Sequence, residues 1–321
     1  MTITKEAPRA PETGKPARRP SSRRPARRGA ETRAGYVFLA PWLLGFIALT
    51  AGPMVASAYL AFTDYHPIRG GEWIGLENFE RLFDDPLFLD SVELTVKYAV
   101  IGTPVKLAAA LAIAMLLNNR RRGQGTYRSL FYAPSLIGAS VSIAIVWRAM
   151  FNDNGIVDET GQFFGLSEGG WIGDPDLTLA MMILLTTWQF GAPMVIFLAG
   201  LKQIPNELYE AAAMDGAGRV RRFWHITLPM LSPVLFFNLV LETIHSFQVF
   251  GSAYIIAQGG HGPDNSLLYY TLYLYESGFG PRGQLGYAAA MAWLLVIAVG
   301  IITLIFFRTS RYWVFYAGEG R

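Results

Sequence analysis

Six stretches of this chain are apolar over the length that a helix needs to cross a hydrocarbon bilayer, about 20 residues. They cover residues 36–62, 91–117, 130–151, 177–200, 233–257 and 287–307. Backbone N–H and C=O groups find no water inside a bilayer, and runs of this length satisfy them internally as helices. The expected fold class is therefore an all-α membrane protein with six transmembrane helices. As a soluble chain, 321 residues would imply about two domains. Its charged fraction of 16% is low for such a chain, where about 25% is usual. Lys97 and Lys106 in the second stretch, and Glu242 and His245 in the fifth, make those two doubtful on hydropathy alone.

Loop charges test the count of six. Residues 1–35, 118–129, 201–232 and 308–321 hold 21 Lys and Arg residues, whereas the alternate loops 63–90, 152–176 and 258–286 hold 3. Basic residues gather on the cytoplasmic side, so both termini are expected there. A missed or extra span would scramble this alternation. The formal net charge of +3 is thus the residue of a basic inside and an acidic outside.

Four segments follow. Residues 1–35 are Arg-, Pro-, Ser- and Ala-rich with nothing to bury, and are expected to be a disordered basic cytoplasmic arm. The arm has no signal-peptide cleavage pattern. It reads as a topology-setting tail in preference to a lipid- or nucleic-acid-binding segment. Residues 36–90 comprise the first span and an outer loop in which Trp73, Phe79, Leu82 and Phe83 could make an interfacial helix; residues 91–310 are a five-helix core, and 311–321 a cytoplasmic tail. Pro104, Gly191 with Pro193, and Gly251 interrupt spans. Transporters place such breaks near substrate sites, although an ordinary kink is an equal reading of any one of them.

The absence of cysteine removes disulfide frameworks, thiolate metal sites and thiol nucleophiles. Of the four histidines, His66, His225 and His261 are scattered among loops. No metal site and no catalytic residue is expected. Glu242, His245, Ser246 and Val249 recur at i, i+3, i+4 and i+7, one helix face. Ionisable groups inside a bilayer turn away from lipid, toward a pathway or a partner helix. Trp188, Gln189 and Gln248 add an aromatic face and hydrogen-bonding groups of the kind a sugar needs. Glu242 and His245 could instead bridge to each other or to a second subunit. Two further classes remain open on these residues: a membrane-embedded acid–base enzyme and a proton-coupled secondary transporter. The other intramembrane charges read as structural: Glu93 and Lys97 as an i,i+4 pair, Lys106 facing the bundle, and Arg148 in an ion pair.

The cytoplasmic loop at about 203–232 carries the most information. Pro205 suits a first helical turn, Glu207 and Glu210 complement the helix dipole, and Asp215-Gly216 is a plausible stop. A second short helix should start at Arg219 and end before Pro229. Glu210, Ala211, Ala212, Gly216, Ile226, Leu228 and Pro229 resemble the EAA signature of permease subunits of bacterial ATP-binding-cassette importers. Gly75–Phe79, Tyr127–Pro134 and Gly259–Pro263 are similar to segments of the MalF-type sugar permeases, except that His261 is inserted in the usual Gly-Gly-Pro.

The resemblance implies the type I importer permease fold, placed in a bacterial plasma membrane as a multi-pass protein. It implies a second homologous permease, two ATPase subunits, an external substrate-binding protein and a sugar substrate, with no nucleic acid partner. It also implies that Glu210, Ala211, Ala212, Asp215 and Gly216 contact an ATPase, and that ATP and Mg are used there. This chain binds no cofactor by that expectation. It lacks a Gly-x-x-x-x-Gly-Lys-Ser/Thr loop, since Gly14-Lys15 is followed by Pro16.

Overall fold

The computed structural model describes residues 28–118, 123–138, 140–153, 155–165 and 170–315. Most of the expected arm, residues 120–122 of the second basic loop and the tail from residue 316 lie outside them. The chain divides into two compact units, residues 1–55 and 56–321. In the first, α1 (Arg28–Phe46) passes through a π turn at Ile47–Ala51. Helix α1 thus starts inside the stretch expected to be unstructured. Ala30, Glu31, Arg33 and Ala34 are strong helix formers and extend it outward from the apolar run.

Within residues 56–321 a loop leads to α3 (Glu77–Asp84), α2 being Gly52–Leu60; α3 holds Phe79, Leu82 and Phe83 of the helix expected there, while Trp73 precedes it in an isolated bridge with Thr63. Then follow α4 (Pro86–Leu117), α5 (Gln124–Ile137), α6 (Val141–Phe151), α7 (Ile156–Phe163), α8 (Pro175–Trp188) and α9 (Gly191–Leu201). The loop expected to be cytoplasmic holds α10 (Asn206–Met214) and α11 (Arg219–Arg222), and α12 (Leu228–Phe247), α13 (Gly251–Ala257), α14 (Tyr270–Phe279) and α15 (Leu285–Trp313) complete the order. The described residues contain isolated bridges, Thr63 with Trp73 and His66 with Gly70, and no named strand.

Among the described residues, four helices are long and apolar enough to cross a membrane: Gly35–Leu60, Pro86–Leu117, Arg219–Ala257 and Leu285–Trp313. The count is six if α5 with α6–α7, and α8 with α9, are each taken as one span bent by more than 40°. The expected spans thus divide into continuous and broken ones. Pro104 lies inside the uninterrupted α4. Pro229 does not end a helix either. A π turn at Phe223–Thr227 precedes it and feeds α12 directly. The wider turn relieves the clash that a proline ring makes with the carbonyl four residues back.

Three apolar clusters hold residues 56–321 together. One joins α3, α14 and α15 around Leu82, Tyr273 and Met291. Another packs α4, α9 and α12 around Ala110, Met194 and Leu231. The third lies around Tyr98, Met181 and Tyr269. Small residues make up most of the buried face of α4, with Ala110 and Ala114 fully buried, because small side chains let membrane helices approach closely.

Candidate functional site

Three helix breaks border one cavity. The first follows α5, where Gly138 precedes Ser140, whose Oγ caps α6 by accepting from Ile143 N–H at 3.4 Å. The second, a 48° bend, lies between α8 and α9 at Gln189 and Phe190. The third separates α12 from α13 at Gln248–Phe250. The first two interlock. Ser135 Oγ donates to Gln189 O at 3.0 Å and accepts from Ala192 N–H at 3.1 Å, and Gln189 Nε2 donates to Gly138 O at 3.3 Å. These bonds re-satisfy backbone groups freed by the bends, as a bilayer requires. Gly191 permits the crossing, since a Cβ there would lie 2.8 Å from Phe131 O and 2.6 Å from Ser135 Oγ.

Around the breaks lies a cavity of about 290 Å³, walled by Gly138, Ser140, Gln189, Phe250 and Gly251 from the breaks themselves. Glu242, His245 and Ser246 line it from α12, Val249 from the break that follows, and Lys106 from α4. The face read from the i, i+3, i+4, i+7 spacing is therefore one wall of a cavity. Lys106 Nζ donates to Glu242 Oε2 at 2.6 Å, with the two side chains 12% and 9% exposed. One turn along, Thr103 Oγ1 and Ser246 Oγ hydrogen-bond at 2.9 Å. These two rungs tie α4 to α12. His245 Nδ1 is 4.0 Å from Glu242 Oε1 and its side chain is 66% exposed, so it is the most accessible of the charged groups here.

Five of the seven pathway candidates, Gln189, Glu242, His245, Ser246 and Val249, come together here. Trp188 does not line the cavity: its ring packs on Trp147 at 5.8 Å. Gln248 caps the end of α12 and also lies outside the lining. Gln248 is six residues after Glu242, off the i, i+3, i+4, i+7 face of a 3.6-residue helix. Sequence reasoning took Lys106 as structural and passed over Thr103. Their i, i+3 spacing on α4 is the signal that pairs them with Glu242 and Ser246.

Arg148 makes no ion pair among the described residues; its Nη1 donates to Ile256 O at 2.8 Å, at the end of α13. Glu93 and Lys97 do pair, at 2.6 Å on an exposed face. Helices α4, α14 and α15 meet at Asp85, which caps α4 by accepting from Leu87 N–H at 3.0 Å. Its other oxygen accepts from Tyr287 OH at 2.6 Å and from Tyr273 OH. Burial alone would raise the Asp85 pKa, but the tyrosine hydroxyls and the Leu87 and Phe88 N–H groups hold the charged form and bring it below the ordinary value.

In the loop between α9 and α12, α10 presents Glu210 and Ala211 to solvent, with Ala212 partly covered. Gly216 has φ +78°, and its N–H bonds Ala213 O at 3.1 Å while Ala217 N–H bonds Ala212 O at 2.9 Å. That pair of bonds is a Schellman stop built on a left-handed glycine. Tyr209 OH meets Thr227 Oγ1 at 3.0 Å, and Tyr209 and Ile226 pack on the α4–α9–α12 cluster. The exposed face of α10 is thus anchored to the helices that wall the cavity.

An all-helical chain with broken spans around a polar cavity, and a surface helix anchored beneath it, defines a membrane transport subunit. The chain belongs to the family described as binding-protein-dependent transport system inner membrane component, whose profile matches residues 106–313. It is 47% identical over 288 residues to the probable ABC transporter permease protein YesP of Bacillus subtilis, covering 89% of this chain and 93% of that one. It is 31% identical to the lactose transport system permease protein LacF of Rhizobium radiobacter, covering 86% and 94%. Among solved structures, a bacterial ABC transporter that imports the acidic polysaccharide alginate superposes with a TM-score of 0.72 at 23% identity, covering 88% of this chain and 96% of that one. A complex of a bacterial alginate ABC transporter with its pentasaccharide-bound periplasmic protein gives 0.75 at 21%, covering 89% and 97%. The similar proteins are named as transport permeases and not as enzymes.

Proposed function

We propose that this chain forms half of the translocation pathway of an ATP-driven, binding-protein-dependent importer whose substrate is a sugar or oligosaccharide. The observation that carries the reading is the polar cavity at the three converging helix breaks, with hydrogen-bonding groups from α4, α8 and α12. Gln189, Ser246 and His245 suit sugar hydroxyls, and Phe250 and Val249 suit its C–H surface. A relative named for lactose and another named for arabinooligosaccharides support the substrate class.

In this reading a second homologous permease closes the open side of the cavity, and an external binding protein delivers the sugar from the side of α3 and α14. Two ATPase subunits use ATP and Mg on the cytoplasmic side, where both termini lie. One of them receives α10, with Glu210, Ala211 and Ala212 at the contact and Asp215 and Gly216 setting its end. Closure of the ATPases moves α10, and the Tyr209–Thr227 bond and the apolar cluster beneath it pass that motion to α12 and the cavity wall.

The test is uptake by proteoliposomes holding the whole importer. Dependence on ATP and on loaded binding protein is expected. Uptake driven by a proton gradient alone, without ATP, would overturn the proposal in favour of Glu242 and His245 as a proton relay.

A further inference from the structure

Four aromatic rings form a continuous row from the cavity to the surface. Phe250 lines the cavity; its centroid lies 5.5 Å from Tyr254 and 5.1 Å from Tyr275, and Tyr275 lies 5.5 Å from Phe279. The outer three border a second hollow, of about 430 Å³. They remain exposed at 39%, 37% and 69%. His261 and Glu276 stand in the same hollow, Nε2 to Oε2 at 2.6 Å. That pairing orients the carboxylate and leaves Oε1 without a hydrogen bond among the described residues. Ser277, 2% exposed, lines the hollow too, and its Oγ has no partner. Aromatic belts also occur where membrane helices meet the interface. This row differs from a belt: it starts in the cavity wall, and it borders a polar hollow furnished with a carboxylate, an imidazole and an unsatisfied hydroxyl.

We propose that this hollow and its aromatic row are an outer oligosaccharide subsite, which receives a sugar chain before it enters the central cavity. The rings offer flat apolar faces to sugar C–H groups at spacings on the scale of one sugar residue. Glu276 Oε1 and Ser277 Oγ take up hydroxyl groups. The inference rests on a sugar being the substrate, and it adds a binding place outside the cavity already described.

Two readouts on the complete importer in nanodiscs and proteoliposomes test it, with lactose, maltotriose, arabinotriose and an alginate trisaccharide as probes. Saturation-transfer NMR without the binding protein should detect contact with the transported trisaccharide. In Tyr275→Ala and Phe279→Ala that signal should fall roughly three- to tenfold. Tyr275→Phe should restore it. ATP-dependent trisaccharide uptake should fall in parallel. The Phe279 ring is largely exposed, so its removal leaves folding intact. Unchanged contact and uptake in both alanine variants would overturn the subsite. Loss of co-purifying second permease in those variants would also overturn it, by assigning the row to the subunit interface. If the wild-type importer carries and contacts none of the four sugars, the sugar reading itself fails and the subsite with it.

Discussion

The buried pair between α4 and α12 gives the sharpest prediction. Lys106 and Glu242 are separated by 2.6 Å and are 12% and 9% exposed. At an effective dielectric of about 20 their attraction is on the order of 6 kcal/mol. Removing two ions from water costs several kcal/mol each, so the net worth of the pair against apolar groups of the same shape is near zero. Removing one partner is different, because it strands a charge and costs about 3–5 kcal/mol. The pair borders a cavity wide enough for water, so the low end, about 3 kcal/mol, applies. Lys106→Met keeps the stem and deletes the charge, and Glu242→Gln keeps the shape on the other side.

Each single variant should lower the apparent unfolding midpoint in detergent, and the double variant Lys106→Met/Glu242→Gln should recover most of the loss. At 2 to 4 °C per kcal/mol for chains of about 150–250 residues, the single shifts should be roughly 6 °C, at the low end because this chain is longer. All variants should be scanned at one rate, since membrane proteins unfold irreversibly. Double-variant losses equal to the sum of the singles within about 0.5 kcal/mol would mean that the two side chains do not interact. That result would refute the ion pair as the link between the helices.

Three further outcomes are expected. Gly216→Val places a β-branched residue at φ +78°, which costs on the order of 1–3 kcal/mol locally; it should leave yield intact while ATP hydrolysis by the importer loses its dependence on loaded binding protein. Gly191→Ala forces a Cβ to within 2.8 Å of Phe131 O and should destabilise the α5–α9 crossing by about 1–3 kcal/mol, measured as a lower unfolding midpoint. Asp85→Asn weakens the acceptor for Tyr273 and Tyr287 and should lower stability at neutral pH. Its folded-state pKa lies below the ordinary 3.8, so the carboxylate stabilises fully above that value and loses its effect as pH falls through the depressed one. The gap between wild type and Asp85→Asn should therefore close on acidification, and a gap that widens instead would remove Asp85 from the cause.

Much of this molecule was legible from composition and periodicity alone. Among the described residues, runs of about 20 apolar residues located the four helices long and apolar enough to cross a membrane and the two bent helix pairs, because burial in lipid leaves the backbone few choices. The face of α12 was legible for the same kind of reason, since helical periodicity is a local property. Gln248 lies outside the lining because it is off the i, i+3, i+4, i+7 face, and Trp188 because its ring packs on Trp147. Lys106 was underread because its role depends on Glu242, 136 residues away. Pro229 was read as a stop, but the π turn ahead of it is fixed by packing and not by any residue-level signal.

The pattern of breaks also explains where polar groups can stand. A continuous helix such as α4 keeps its backbone bonds internal and contributes side chains alone, here Lys106 and Thr103. A broken helix contributes side chains together with backbone groups, as at Gly138 and Gln189. Mixing the two kinds gives the cavity rigid charged walls on α4 and α12 and adaptable polar edges at the breaks. If those edges are adaptable in solution, amide exchange at Ala192 and Ile143 should be faster than within α4 at Thr103, because local opening tracks exposed or irregular backbone bonds. Both edge amides donate to serine hydroxyls, from Ala192 to Ser135 Oγ at 3.1 Å and from Ile143 to Ser140 Oγ at 3.4 Å. Ser135→Ala should speed exchange at Ala192 and leave Ile143 unaffected. Equal protection at all three amides in the wild-type importer would mean that the breaks are as rigid as α4, and that the cavity does not adapt at its edges.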